Sequence, residues 1–267
     1  MRIEGKVWAV TGAGSGIGLA LTREILNRGG RVALIDISGE ALNRAKSDFG
    51  NTNAVSIHQT DISDFERIKS LPSEILQHHG QMDGLVNNAG IIQPFVDFTD
   101  LTDDKILKIL NVNLLSVVYL LRIFYPHLKD RPEAHIANVS SMGGIFPFPG
   151  QSWYGATKAA VKLLTEAMYA ELMNSNIRMT LIIPGAVRTN IMENSGIKQP
   201  VNSTSKGRNI LSAEKAAFKI CNAIEKNTFR LLLGNDARFL DLFYRLMPER
   251  SIGIIARQMK KMLAANQ

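Results

Sequence analysis

A chain of 267 residues that is 45% hydrophobic and 21% charged has the balance of one globular domain, which excludes disordered and fibrous classes. Its single cysteine, Cys221, excludes an internal disulfide and a multi-cysteine metal site, and a cytoplasmic location fits that usage. The formal net charge is +7, but Arg245, Arg250, Arg257, Lys260 and Lys261 stand against Glu249 alone from 245 to 267, so the basic excess sits largely in the tail and gives no reason to expect nucleic acid as a partner.

Met1 leads directly into a charged residue and the strand pattern Val7–Val10, a layout without signal-peptide features. That strand runs into Thr11-Gly12-Ala13-Gly14-Ser15-Gly16-Ile17-Gly18, and a helical pattern begins at once with Leu19, Ala20 and Leu21. Glycines in this strand–turn–helix setting let the backbone approach a pyrophosphate, while the unpaired N–H groups and positive dipole of the helix start face its charge. A second strand, Arg31–Ile35, ends at Asp36. A carboxylate there accepts hydrogen bonds from two ribose hydroxyls and repels a 2′-phosphate, and neither Ser15 nor Ile37 is basic, so NAD is expected over NADP. Alternatively Asp36 caps the next helix, although Ser38 is placed for that task.

Further strands are expected at Ala54–His58, Gly84–Asn87, His135–Ser140, Arg178–Ile183 and Arg230–Leu233, with helical stretches between them. About seven strands alternating with helices predict an α/β fold, a Rossmann-type doubly wound parallel sheet with helices on both faces, and 1–267 reads as one domain. Two helices, about 102–128 and 152–175, are apolar nearly all round. That predicts cover on two faces, by the sheet and by another subunit of a homodimer or homotetramer; burial under the C-terminal segment is the simpler alternative. The longest apolar run, Val112–Tyr125, is interrupted by Asn113, Ser116 and Arg122, short of the ~20 residues of a membrane span. The five histidines show no zinc spacing, and no metal is expected.

Tyr154 and Lys158 stand four apart near the start of the second of these helices and share a face. An ammonium beside a phenol stabilises the phenolate and brings a group with a free pKa near ~10 toward working pH.

Thr11–Gly18, Asp61, Asn87-Asn88-Ala89-Gly90, Asn113, Ser141, Tyr154-Gly155-Ala156-Thr157-Lys158 and Pro184-Gly185 together resemble the short-chain dehydrogenase/reductase family in order and spacing. The resemblance covers about residues 5 to 190. It implies a catalytic set of Asn113, Ser141, Tyr154 and Lys158. Tyr154 would move the substrate proton, Lys158 would lower its pKa and bind the nicotinamide ribose, Ser141 would hydrogen-bond the substrate oxygen, and Asn113 would break the helix and hold a water. It further implies that Gly12, Gly14, Ser15, Gly16, Ile17, Gly18 and Asp36 bind the cofactor, that Asp61 and Ile62 meet its adenine, that Asn88, Ala89 and Gly90 line the cleft, and that Val187 and Thr189, after Pro184-Gly185, meet the nicotinamide amide.

Substrate is expected over the C-terminal edge of the sheet, against Ile92, Met142, Gly143, Phe146, Phe148 and Trp153, with helix packing an equal reading for Trp153. This apolar wall predicts a hydrophobic secondary alcohol or its ketone. A lid is expected at 190–210, where Lys198, Lys206 and Arg208 are solvated or guide an acidic substrate. A helical extension is expected at 237–267. Ile252, Ile255, Met259, Met262 and Leu263 on one face and basic residues on another cap the pocket, pack on a neighbouring subunit, or rest on a membrane. The rival functions are a non-catalytic NAD(H) sensor and a membrane-associated sterol or retinoid dehydrogenase.

Overall fold

In a computed structural model of the chain, which describes residues 1–197 and 210–264 and side chains as far as Met259, strands and helices alternate. β1 (Val7–Thr11) leads to α1 (Gly16–Asn27), β2 (Arg31–Asp36) to α2 (Gly39–Asp48), and β3 (Val55–Gln59) to α3 (Phe65–His79). β4 (Gly84–Asn87) precedes a long helix in three parts: α4 (Asp103–Leu110), a π-helical turn at Asn111–Leu115, and α5 (Ser116–Lys129). β5 (Ala134–Val139), a 3-10 turn at Met142–Gly144, α6 (Ser152–Leu172) and β6 (Ile177–Pro184) follow. The chain continues through β7 (Val187–Arg188), α7 (Ile191–Asn194), β8 (Leu211–Ser212), α8 (Ala213–Glu225), β9 (Arg230–Leu233), α9 (Asn235–Leu246) and α10 (Pro248–Ala264).

Seven strands form one parallel sheet in the order β3-β2-β1-β4-β5-β6-β9. Each of the seven expected strands appears within about a residue of its place, because a strand covered on both faces reads as a continuous apolar run. Alternate side chains divide the core. Trp8, Val10, Leu34 and Val86 meet Leu21 and Ile25 of α1 and Ile220 of α8 on one face. Val7, Ala9, Ile35, Leu85 and Ile136 meet Ile68 and Leu71 of α3, Phe124 of α5 and Val161 of α6 on the other. Gly84 is required here, since a β-carbon would lie 2.2 Å from the Trp8 indole on the neighbouring strand.

The strand order reverses between β1 and β4, and a crevice opens at their C-terminal ends. Thr11 ties the two loops there: its Oγ1 accepts from the Asn88 and Ala89 amides, both at 3.0 Å, while Asn88 Nδ2 donates to the Thr11 carbonyl at 2.9 Å.

Two expectations are corrected. The helix through Asp103–Lys129 has 27 residues and a mean hydropathy of 1.7 in its most apolar stretch, long and apolar enough by composition to cross a membrane, although the sequence reading found no such run. Counting only uninterrupted runs missed it. In the fold one face of it is packed: Val117, Leu120, Leu121, Phe124 and Leu128 are buried against the sheet side, and the π turn is tied to the β4 loop. The second long helix ends at Leu172, not at Ser175. Of the lid expected at 190–210, residues 198–209, with Lys198, Lys206 and Arg208, lie outside the described residues, as do the side chains of Lys260, Lys261, Met262 and Leu263.

Candidate active site

The crevice is a cleft of about 1420 Å³. At one end the chain leaves β1 with Gly12 at φ +66°, where a side chain is strained and a β-carbon would lie 3.0 Å from Ala89 Cα. Helix α1 then begins with no side-chain cap from Ser15 and no acidic residue in its first turn. Its N–H groups are left for an anion from outside, as a pyrophosphate site requires. Gly18 serves the same turn differently: a β-carbon there would stand 2.1 Å from the Gly12 carbonyl, so glycine alone lets helix and turn approach.

Asp36 closes this end. Its Oδ2 accepts from the Gly14 amide at 2.8 Å and its Oδ1 from the Ser38 amide at 3.0 Å. Ser38 Oγ, and not Asp36, caps α2 by accepting from Ala41 at 3.2 Å, which settles the capping alternative. Arg44 also lines this end, unforeseen in the sequence, and is ion-paired with Glu40 at 2.6 Å. Asp61 and Ile62 lie opposite, with Asp61 Oδ1 held by the Ser63 amide and hydroxyl at 2.9 and 2.7 Å. These features fit a dinucleotide.

At the other end, β5 and α6 bring Ser141, Tyr154 and Lys158 to one wall. Ser140 and Ser141 separate by role. Ser140 Oγ is buried and donates to the Lys158 carbonyl at 2.7 Å, while Ser141 Oγ accepts from the Gly143 amide at 3.0 Å and lines the cleft. Lys158 is 4% exposed, and its Nζ donates to the Val139 carbonyl at 3.0 Å. Burial holds its ammonium down to about 8. Burial also pushes the Tyr154 hydroxyl above 10.0, against a smaller downward pull from its hydrogen bond with Ser141. The Lys158 ammonium is bonded to β5 and stands at Gly90, where a β-carbon would be 3.2 Å from both Lys158 Nζ and Asn113 Oδ1.

Asn113 is fully buried in the π turn, a distortion that swings its amide out of the helix toward the β4 loop. Its Oδ1 accepts from the Ile91 amide at 2.8 Å, and its Nδ2 donates to the Ile91 carbonyl at 2.9 Å. It fixes the loop that follows Asn88-Ala89-Gly90 and does not itself line the cleft.

Gly12, Gly14, Ser15, Gly16, Ile17, Asn88, Ala89, Gly90, Pro184, Gly185, Val187 and Thr189 all line the cleft, as do Met142, Gly143, Phe148 and Ile92. Gly18, Phe146 and Trp153 do not. Phe146 is fully buried beneath the wall, with its ring 5.1 Å from Phe148 and 5.6 Å from Tyr244. Trp153 precedes Tyr154 on α6 by about 100° of rotation and so faces elsewhere, which favours the packing reading.

Several wall residues were missed. Gln151 lines the cleft beside Tyr154, with Gln93 bonded behind it, and Ile255, Gln258 and Met259 of α10 line the cleft as well, so this face of the extension is turned to the pocket. The apolar spacing of α10 signalled a buried face, but nothing local indicated what it would face. Asn194 of α7 donates to Ser15 Oγ at 2.9 Å, and Ser195 Oγ accepts from the Ile92 amide at 3.0 Å, so the start of the expected lid is tied to both ends of the cleft.

Comparison with known proteins agrees with this geometry. A model of the short chain dehydrogenases matches residues 6–200. A putative oxidoreductase, SadH, of Mycobacterium tuberculosis is 31% identical over 254 residues, 91% of either chain. The 3-oxoacyl-(acyl-carrier-protein) reductase of Thermotoga maritima is 36% identical over 194 residues, 72% of this chain and 78% of its own. A Burkholderia phymatum short chain dehydrogenase/reductase solved with NAD superposes with a TM-score of 0.83 at 26% identity, covering 92% of this chain and 96% of that one.

Proposed function

Since the chain belongs to the short-chain dehydrogenase/reductase family of oxidoreductases, we propose that it interconverts a hydrophobic secondary alcohol and its ketone with NAD as hydride carrier. The observation that carries this reading is the convergence of Ser141, Tyr154 and Lys158 on one wall of the cleft whose far end is the uncapped start of α1 beside Asp36.

When bound, the nicotinamide accepts or supplies the hydride. The chain's residues manage the rest. Ser141 donates a hydrogen bond from its hydroxyl to the substrate oxygen, keeping its own proton, and stabilises the charge that develops there. Tyr154 takes the hydroxyl proton as the alcohol is oxidised, or returns one as the ketone is reduced. The Lys158 ammonium, held by Val139, places a positive charge behind this exchange. The Gly12–Gly18 turn and the N–H groups of α1 hold the pyrophosphate, and Asp36 accepts from the adenosine ribose. The same carboxylate opposes a 2′-phosphate, which supports NAD over NADP. The NAD complex of the Burkholderia relative supports the same cofactor.

Turnover by the purified protein across secondary alcohols, sterols and matching ketones, with NAD(H) and NADP(H), tests the reading. Oxidation or reduction of the apolar members with NAD(H) is expected. Tight NADH binding without turnover of any compound would favour a sensor, and a preference for NADPH would overturn the Asp36 argument.

A lipid-facing version of this reading has its own support. Phe239, Leu242 and Leu246 form an exposed stripe on α9, near the basic α10 that lines the cleft. Co-sedimentation with anionic vesicles at low salt separates it from the first. We also propose that the chain self-associates through its long helices, where Leu107, Leu115, Leu163 and Met173 stand exposed.

A further inference from the structure

Two buried amides stand next to Tyr154. Gln93 is fully buried: its Oε1 accepts from the Tyr154 backbone amide at 2.9 Å and its Nε2 donates to the Gly150 carbonyl at 2.9 Å. Gln151 is 4% exposed, and its Nε2 donates to the Gln93 carbonyl at 2.9 Å and to the Gly150 carbonyl at 3.1 Å. Both of those acceptors are oxygens, so the amide has one sensible orientation: turned over, it would set oxygen against two carbonyls. Its nitrogen is therefore satisfied twice, and its Oε1 is buried with no donor among the described residues.

A buried acceptor without a donor costs about as much as a lost hydrogen bond, and such groups gather where a ligand or water completes them. Gln151 lies in the wall that also carries Ser141, Met142 and Tyr154. It stands three residues before Tyr154 and is fixed to it through Gln93. The Gln151 amide is thus held in place beside the Tyr154 turn of α6.

We propose that Gln151 Oε1 is a substrate subsite that accepts a hydrogen bond from a second donor, a hydroxyl or an amide N–H, carried near the reacting carbon. The inference rests on the alcohol/ketone reading above and narrows it to hydroxy ketones, diols and their nitrogen counterparts with an apolar remainder. A neighbouring ether, ester or carboxylate oxygen is disfavoured, because it would set acceptor against acceptor. Gln93 is a positioning residue: it satisfies the orphan amide at the start of α6 and braces Gln151.

Three matched ketones test this: 1-phenyl-1-propanone, its 2-hydroxy derivative, and the 2-methoxy derivative, which keeps the oxygen and loses the donor. The wild-type chain is expected to favour the hydroxy over the methoxy ketone by about tenfold to a hundredfold in kcat/KM. Gln151→Leu, or Gln151→Met if the first does not fold, brings that ratio close to one whatever the absolute rate. Gln93→Leu lowers kcat for all three and leaves the ratio in place. The same compounds are titrated into the NADH-loaded chain, with cofactor fluorescence as the readout. A hydroxyl preference in binding that Gln151→Leu removes, with no turnover of any ketone, supports the subsite and overturns the alcohol/ketone reading. Equal treatment of hydroxy and methoxy ketones by the wild type in both readouts, or a preference that survives in Gln151→Leu, overturns the subsite and leaves Oε1 to a structural water.

Discussion

The two ends of the cleft are built by different means. At the adenosine end the walls are largely backbone: the Gly12–Gly18 turn and the open N–H groups of α1, joined by the carboxylates of Asp36, pinned by two amides, and Asp61. At the substrate end they are side chains from distant parts of the chain, including Ile92, Phe95, Met142, Gln151, Ile255 and Met259. Backbone chemistry is constrained by local geometry, so few residue types fill it. A side-chain wall needs only shape and polarity, so many sequences fill it and each defines a different substrate.

The largest expected effect lies at the backbone end. Gly18→Ala forces a β-carbon against the Gly12 carbonyl, and NADH affinity by calorimetry should fall at least about a hundredfold as the turn opens. If affinity survives, the close approach of α1 to the turn is not what makes the site.

A second test concerns the sheet on which that end rests. Burial lowers the His135 imidazole to about 3, and burial with the nearby His78, Arg31 and His58 lowers His79 to about 4. Both folded values lie under the unfolded value near 6.5, so between them the unfolded chain binds more protons. The stability these groups contribute is full above about pH 6.5 and is lost as pH falls toward their folded values. Urea midpoints should report a loss of about 2 kcal/mol between pH 6 and pH 5, and His135→Asn should remove about half of that slope. A flat profile would contradict the burial of these rings.

Smaller effects separate the ends further. Asp36→Ala should weaken NADH by about tenfold and narrow its margin over NADPH, since charged acceptors contribute more than neutral ones. At the wall, Met259→Ala should raise KM for the bulkiest apolar substrate about fivefold and leave NADH affinity unchanged. A change in cofactor affinity from Met259→Ala would blur the division between the two ends.

The same division governs what could be read in the sequence. The inner strands of the sheet were legible because they are buried on both faces, the turn, Asp36 and the Tyr154–Lys158 pair were legible from their places at strand and helix ends, and Ser141 was legible only through the family resemblance. Phe146 and Trp153 were misplaced because an aromatic next to a site belongs to the wall or to the core beneath it according to packing from Tyr244 and α6. Gln93 and Gln151 are 58 residues apart, and only the fold makes them one network. Lys158 was found in the right place, but its bond to Val139 depends on strand β5 and not on the four-residue spacing.

The most direct test of the whole account is a single-turnover measurement of nicotinamide oxidation with an apolar ketone, comparing wild type with Tyr154→Phe at matched NADH occupancy. The account predicts that the mutant binds NADH as tightly as the wild type and transfers hydride at least about a hundredfold more slowly, because the substrate oxygen no longer receives its proton. Hydride transfer at the wild-type rate in Tyr154→Phe would contradict it.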